Sequence, residues 1–213
     1  MTSQVTQRPQ TRRHNAAGFS LLELVIGMTL LLIAMVAAST LLTTSLRTRT
    51  RENQKSDALA DAQRAVNIMS REIGNSGFGL MINGLVAADC HTYNPPSDTR
   101  PTSIRLRANL NNTNATTSDT DEDITFIHQP ANNAILRYDR NANSTTVLAN
   151  GVTTFRVFFL DAAGNTAASI DAAVRVRLNV IVQVPSANGL NSADVQLTSD
   201  IALRNAPSLV KTY

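Results

Sequence analysis

The chain contains a single cysteine, Cys90, and no tryptophan, and only 4% of its 213 residues are aromatic. One cysteine cannot close an intrachain disulfide bond, so any folded domain must be held together by packing alone. We predict that Cys90 is a small buried side chain; an intermolecular bridge and a reactive thiol are the alternatives. With so few aromatic residues we expect a light domain with a modest core, and not a large enzyme.

One long segment near the N-terminus contains no charge, and a still longer one contains no proline. No charged residue occurs from Leu24 to Leu46, which is 23 residues, and no proline occurs between Pro9 and Pro95. At about 1.5 Å per residue this segment makes a helix of about 34 Å, enough to cross a hydrocarbon core of about 30 Å. Because no proline forces a kink, the helix is expected to continue beyond the uncharged segment.

Three kinds of N-terminal segment are possible explanations of this basic stretch followed by a long apolar run. A secretory signal peptide has a shorter apolar region, with small residues after it and not before it. An ordinary membrane anchor fits the length but leaves Glu23 unexplained, because a carboxylate in the membrane costs about 2.5–3.5 kcal/mol at a helix centre. A twin-arginine export signal lacks the hydrophobic residues expected directly after Arg12 and Arg13. These two arginines predict that the N-terminal end stays in the cytoplasm.

The residues around Glu23 resemble a known processing site. Gly18-Phe19-Ser20-Leu21-Leu22-Glu23 follows a basic leader, and this motif resembles the cleavage site of type IV prepilins and type II secretion pseudopilins. The resemblance implies that a membrane prepilin peptidase cuts after Gly18 and methylates the new N-terminal residue, Phe19. It also implies that Glu23 is the assembly glutamate of the family.

The charges at this site suggest how such subunits would assemble. Cleavage creates a charged amine on Phe19, and methylation keeps that charge. In a bundle of apolar helices this amine approaches Glu23 of a neighbouring subunit, so that each neutralises a charge that would be costly if buried alone. A contact that runs from head to tail generates an open helical filament, in which Glu23 fixes the register.

The overall basic charge of the chain comes from its leader. Loss of residues 1–18 lowers the number of Lys and Arg from 19 to 16, against 16 Asp and Glu. A global basic surface for nucleic acid therefore has no support, and a local patch at Arg47, Arg49 and Arg51 is what remains for a DNA-uptake pilus.

The rest of the chain predicts an α+β fold. An apolar stripe, formed by Leu59, Ala62, Val66, Met69 and Ile73, continues the helix, and glycines from Gly74 onwards end it. Short alternating or apolar runs then predict an antiparallel sheet. The predicted strands are Ser103–Ala108, Asp123–His128, Ala134–Asp139, Thr145–Ala149, Val152–Leu160, Ala173–Val184 and Asp194–Arg204.

The predicted organisation is pilin-like, with a long N-terminal helix packed on a β-rich head. Residues 1–18 form the cleaved leader and 19–46 the transmembrane assembly helix. Residues 47–74 form an amphipathic helix, and 75–213 form the extracytoplasmic head. The head has an aromatic strand, an Asp-x-x-Gly turn, a strand in which Val and Arg alternate, and the late segment Ile201–Asn205. This order resembles the heads of PilW-like minor pilins and of the J-type pseudopilins of type II secretion.

No pattern in the head predicts catalysis or a cofactor. Asp119, Asp121 and Asp123 are weak candidates for a calcium site, because Ile124 stands where the turn glycine of an EF-hand belongs. A solvated acidic loop is the preferred interpretation, and we expect no metal.

The function expected from the resemblance is that of a minor type IV pilin that helps to initiate or cap a pilus. Its partners would be the prepilin peptidase, other pilins, the inner-membrane assembly platform and, before assembly, the lipid of the cytoplasmic membrane. A J-type pseudopilin of type II secretion is the first alternative, and a membrane-anchored binding module that never polymerises is the second.

Overall fold

The computed structural model describes residues 20–92, 102–111, 116–184 and 193–206. The chain divides into two compact units, Met1–Leu46 and Arg47–Tyr213. One helix, α1, extends over Leu21–Gly74, and antiparallel strands follow it. The predicted α+β, pilin-like architecture is confirmed.

Within the described residues of the second unit, seven strands form two antiparallel sheets. Sheet A pairs β1 to β4 in chain order, and sheet B pairs β5 to β7 in chain order. The strands are β1 (Ser103–Arg107), β2 (Asp123–Gln129), β3 (Ala134–Asp139), β4 (Ser144–Asn150), β5 (Val152–Leu160), β6 (Arg175–Val184) and β7 (Ala193–Ala202). Every predicted strand is present, with bounds that differ by at most two residues. The expectation of one sheet is replaced by two.

The C-terminal part of α1 packs against the sheets through a narrow apolar face. Ala62, Met69 and Ile73 of the predicted stripe are buried. Val66 is only half-buried, and Ala65 is buried although the sequence analysis did not include it. The buried residues Ala62, Ala65, Met69 and Ile73 are three or four residues apart, so the contact face is turned toward Ala65 and away from Val66.

Both sheets contribute to a single hydrophobic core with this helix face. Phe126 of sheet A and Phe155 of sheet B are its largest buried side chains. Strand β6 shows the predicted alternation, because Val176 and Leu178 are buried while Arg177 is partly exposed. Alternation places one face of the strand on the core and the other toward solvent.

A glycine-rich loop connects the end of α1 to β1. Gly77 and Gly84 have φ values of +78° and +77°, which side chains rarely adopt. A Cβ atom on Gly84 would lie 2.1 Å from the Gly77 nitrogen and 2.3 Å from the Arg107 carbonyl oxygen. The Gly77 amide donates to the Arg107 carbonyl at 2.8 Å, and the Arg107 amide donates to the Gly84 carbonyl at 2.7 Å. The loop is thereby fixed to the edge of β1.

Candidate assembly site

Glu23 lies in the first turn of α1 and is exposed. The helix begins one residue after Ser20, whose carbonyl accepts the Leu24 amide at 3.1 Å. A carboxylate in the first turn interacts favourably with the positive end of the helix dipole. Gly18 and Phe19, the predicted cleavage site, lie outside the described residues.

The side chains around Glu23 form an apolar surface that nothing in the described chain covers. Every large apolar side chain from Leu21 to Leu46 is at least 48% exposed. The helix is long and apolar enough to cross a membrane, and its most apolar 18-residue window has no buried residue. A helix that is apolar on all sides requires lipid or other apolar helices around it. Glu23 is the one charged residue of this segment.

Five hydroxyl groups of this segment are satisfied by the helix itself. Hydroxyls along it donate to the carbonyl oxygens three or four residues earlier, at 2.8–2.9 Å; they belong to Thr29, Ser39, Thr40, Thr43 and Thr44. Such bonds lower the cost of placing a hydroxyl in lipid, because the group keeps a hydrogen-bond partner there. Glu23 differs from these hydroxyl groups because its carboxylate is charged.

The arginines considered for DNA binding do not share one helix face. Arg47 and Arg51 are four residues apart, so they lie on the same side of α1, whereas Arg49 points to another side. Arg47 and Arg49 are exposed, and Arg51 is half-buried. The helix therefore places Arg47 and Arg51, two of the three arginines, on one side.

The three aspartates considered for calcium bind different partners. Asp119 accepts from the Asn111 side-chain amide, Asp121 accepts from Arg137 at 2.6 Å, and Asp123 is bound by arginine side chains. Within the described residues, no group of three or more His, Cys, Asp or Glu side chains is arranged to hold a metal ion.

Arg137 connects the acidic loop to α1. Its Nε atom lies 3.0 Å from Glu72 Oε1, and its Nη2 atom lies 2.6 Å from Asp121 Oδ1. Burial raises the pKa of Glu72, although Arg137 acts against this effect. A cavity of about 290 Å³ lies beside these residues, with Leu106 and Ile124 in its apolar wall.

A buried ion pair between β1 and β2 was missed by the sequence analysis. Arg105 binds Asp123 through two contacts of 2.7 and 2.6 Å, and both side chains are less than 8% exposed. Arg105 also binds Asp89, and Arg107 approaches Asp123 at 3.0 Å. Burial raises the pKa of Asp123, but the hydrogen bonds and charges of the two arginines outweigh it, so its pKa lies below the usual value.

The signal for this pair is weak in the sequence. Arg105 and Arg107 alternate with Ile104 and Leu106, which is typical of a strand with one solvated face. In the structure, however, Arg105 is buried although it lies on the face that the alternation predicts to be solvated. Only the register, which places Arg107 opposite Asp123, reveals the partner.

Two buried carboxylates in the same region stabilise turns. The Glu122 side chain is 1% exposed and accepts the Leu110 amide at 2.8 Å and the Asp119 amide at 3.1 Å. Asp139 accepts the Asp121 amide at 2.8 Å. Unpaired backbone amides are costly when buried, so these acidic residues have a structural role.

Cys90 is a buried free thiol, as predicted from its isolation in the sequence. Its sulfur accepts the Arg105 amide at 3.4 Å. Burial raises the pKa of Cys90 to about 11, so the thiol is protonated at neutral pH and a poor nucleophile.

The comparison with known families agrees with the geometry of the N-terminal helix. No curated protein matches the chain. The prokaryotic N-terminal methylation motif matches residues 13–39, which include the start of α1 and Glu23. Proteins with this motif are structural and not catalytic. The chain therefore carries the hallmark of the type IV prepilin and pseudopilin family.

Proposed function

We propose that this protein is a minor type IV pilin that helps to initiate or cap a pilus. The methylation motif at residues 13–39 carries the proposal, because it includes the start of α1, whose large apolar side chains from Leu21 to Leu46 are all exposed. In this proposal residues 1–18 are the leader, 19–46 the assembly helix, 47–74 the helix that packs on the head, and 75–213 the head.

The processing step creates the charge that Glu23 requires. A prepilin peptidase cuts between Gly18 and Phe19 and methylates the amine of Phe19. Glu23 follows four residues later, within the first turn of α1. In a bundle of such helices the amine of one subunit and the carboxylate of a neighbour bring two opposite charges together in an apolar medium. Each would be costly there without the other.

Before assembly, α1 anchors the protein in the cytoplasmic membrane with a single span. The arginines of the leader favour a cytoplasmic N-terminus, which directs the head to the other side. The assembly platform then transfers the subunit from lipid into the fibre. During this transfer the apolar surface of Leu21–Leu46 exchanges lipid for neighbouring helices.

Processing is tested by intact mass and N-terminal sequencing of the protein extracted from membranes. We expect a chain that begins at N-methyl-Phe19. Gly18→Val should retain the leader, whereas Gly27→Val is the matched control, since a Cβ atom at Gly27 meets no atom within 4 Å. A chain that keeps residues 1–18 in the presence of an active peptidase contradicts the proposal.

Assembly is tested with Glu23→Gln. This variant should be cleaved normally but be depleted at least tenfold from sheared fibres. Glu52→Gln is the matched control, because Glu52 is an exposed carboxylate further along the same helix. Equal incorporation of Glu23→Gln and the unaltered protein would support the anchored module that never polymerises.

The same motif and head also suit a J-type pseudopilin of type II secretion. The two roles differ in the machine that uses the subunit. Deletion of the gene should abolish surface pili if the protein is a minor pilin, and should abolish secretion of exported enzymes, with pili intact, if it is a pseudopilin.

A further inference from the structure

Four basic residues follow the uncharged part of α1 within little more than two turns of the helix. They are Arg47, Arg49, Arg51 and Lys55. The first of them comes directly after Leu46, and Glu52 is the one acidic residue among them. Residues 47–55, which we call the basic segment, therefore carry a net charge of +3. The proposed role of α1 in assembly leaves this charge unexplained.

The basic segment presents its charge on more than one side of the helix. Arg47, Arg49 and Lys55 are exposed, and Arg51 is half-buried. Arg47 and Arg51 lie on one side of α1, whereas Arg49 lies on another. A ligand that surrounds the helix meets cations in several directions, and the lipid around a single membrane span is such a ligand.

The basic segment begins where the hydrocarbon core of a membrane would end. The uncharged segment from Leu24 to Leu46 makes a helix of about 34 Å, slightly longer than a hydrocarbon core of about 30 Å. The head-group layer adds about 5–7 Å on each side of the core. Arg51 lies about 6 Å from Arg47 along the helix, and Lys55 about 12 Å. A long lysine side chain bends back toward such a surface, and the surface potential extends about 8 Å at physiological salt.

The order of charges along α1 favours an anionic membrane surface. Asp57 and Asp61 follow the basic segment, and both are exposed. They lie about 15 and 21 Å from Arg47 along the helix, beyond the head-group layer. The cations are therefore nearest to the membrane and the carboxylates are farther from it. In a chain that begins at Phe19, the basic segment also contains the first Lys and Arg residues of the sequence.

We propose that the basic segment binds the head groups of anionic phospholipids on the outer face of the cytoplasmic membrane before the subunit is assembled. This inference rests on the proposed function, because it requires α1 to anchor the chain with its head outside. It adds a preference among lipids, in which the arginines donate to lipid phosphates. A guanidinium group donates two hydrogen bonds to one phosphate, which suits this role.

Nucleic acid offers the same phosphate chemistry, but the depth of the segment favours lipid. Head groups surround Arg47 to Arg51 as soon as the span is inserted. A nucleic acid has to displace these head groups before it reaches the same side chains. The lipid is therefore the ligand to which the proposal commits.

Native mass spectrometry of the membrane-extracted protein tests the proposal. The protein, in a neutral detergent, is mixed with equal amounts of phosphatidylglycerol and phosphatidylcholine that have the same acyl chains, so that only the head groups differ. We expect phosphatidylglycerol to be retained at least about tenfold more than phosphatidylcholine, because each Lys or Arg near an anionic surface strengthens binding roughly fivefold. The excess should shrink as the ionic strength rises. Equal retention of the two lipids overturns the proposal.

Substitution of the exposed cations locates the binding site. The triple variant is Arg47→Gln, Arg49→Gln and Lys55→Gln. It should retain the two lipids about equally and keep the unfolding midpoint of the unaltered protein, because all three side chains are exposed. A variant that keeps the excess of phosphatidylglycerol would show that the basic segment is not the site.

A matched variant removes the same amount of charge elsewhere in the second unit. It is Arg64→Gln, Arg71→Gln and Arg140→Gln, and these three arginines are also exposed. This variant should keep the excess of phosphatidylglycerol. An equal loss in both triple variants would show that the net charge of the whole chain attracts the lipid, which contradicts a local site.

A short DNA duplex separates the two sources of phosphate. Added to the protein with bound phosphatidylglycerol, the duplex should not displace the lipid. Displacement at an equal concentration would identify nucleic acid as the preferred ligand and overturn the proposal. The lipid assay needs no fibre, so its failure overturns this inference alone, whereas an uncleaved chain in the presence of an active peptidase overturns the proposed function.

Discussion

The buried pair of Arg105 and Asp123 allows a quantitative prediction for the stability of the head. Arg105→Met removes both guanidinium contacts to Asp123, whose side chain is 6% exposed. Breaking a buried ion pair costs about 3–5 kcal/mol, because the remaining charge stays buried without compensation. Arg107 still approaches Asp123 at 3.0 Å, so we expect the lower end of this range, about 3 kcal/mol.

This loss is large enough to measure by thermal unfolding. For a domain of 150–250 residues each kcal/mol lowers Tm by about 2–4 °C, which gives a fall of about 6–12 °C for Arg105→Met. The full chain in detergent micelles is suitable, with the circular dichroism of the sheets as the signal. The double variant Arg105→Met with Asp123→Leu should recover most of the loss, because an apolar pair leaves no buried charge.

An exposed ion pair in the same head is the matched control. Arg177 contacts Asp200 at 2.6 Å on the solvent face of sheet B, and water screens such pairs. Arg177→Met should change Tm far less than Arg105→Met. Equal changes for the two single variants, or a double variant that is less stable than Arg105→Met, would refute the reasoning that burial of the charge dominates.

Further predictions concern the packing, the loop and the titrating groups. Met69→Ala removes a fully buried side chain and should destabilise the head by about 2–5 kcal/mol in urea unfolding. Gly84→Ala places a Cβ atom 2.1 Å from a backbone nitrogen, so the soluble yield and Tm should both fall, more than for Gly164→Ala, where no atom lies within 4 Å. Stability should fall in acid, because the pKa of Asp123 is lower in the folded state than in the unfolded state. The ionised carboxylate therefore stabilises the fold at a pH above the ordinary aspartate pKa, and this contribution is lost as the pH drops through the pKa of the folded state. The urea midpoints at pH 5 and pH 3 should differ less for Asp123→Asn than for the unaltered protein. Cys90 should react with iodoacetamide at neutral pH only after urea unfolding, because the thiol is buried and its pKa is about 11; rapid modification of the folded chain contradicts this.

The sequence was informative wherever a local pattern decides the structure. The charge-free segment from Leu24 to Leu46 predicted the exposed apolar helix, and the alternation in β6 predicted which of its faces is buried. Glycines from Gly74 onwards predicted the end of α1. These features depend on composition and spacing within one element, so no distant contact is needed to recognise them.

Features that depend on contacts between distant segments were not predicted. The division of the strands into two sheets depends on pairing, and the burial of Arg105 depends on an aspartate 18 residues later. The role of Ala65 in the core required the exact rotation of α1 on the sheets. For the candidate assembly site, the sequence supplied Gly18, Phe19 and Glu23 through the motif, and their roles stay predictions.

The composition of the hydrophobic core has a consequence for the transfer of the subunit between environments. The core cluster is built from residues of the second unit, and none of its members comes from Leu21–Leu46. The N-terminal segment can therefore change its surroundings without disturbing the packing that keeps the head folded. In the proposed pilin role, transfer from lipid into a fibre would therefore change the surroundings of that segment and leave the core of the head packed.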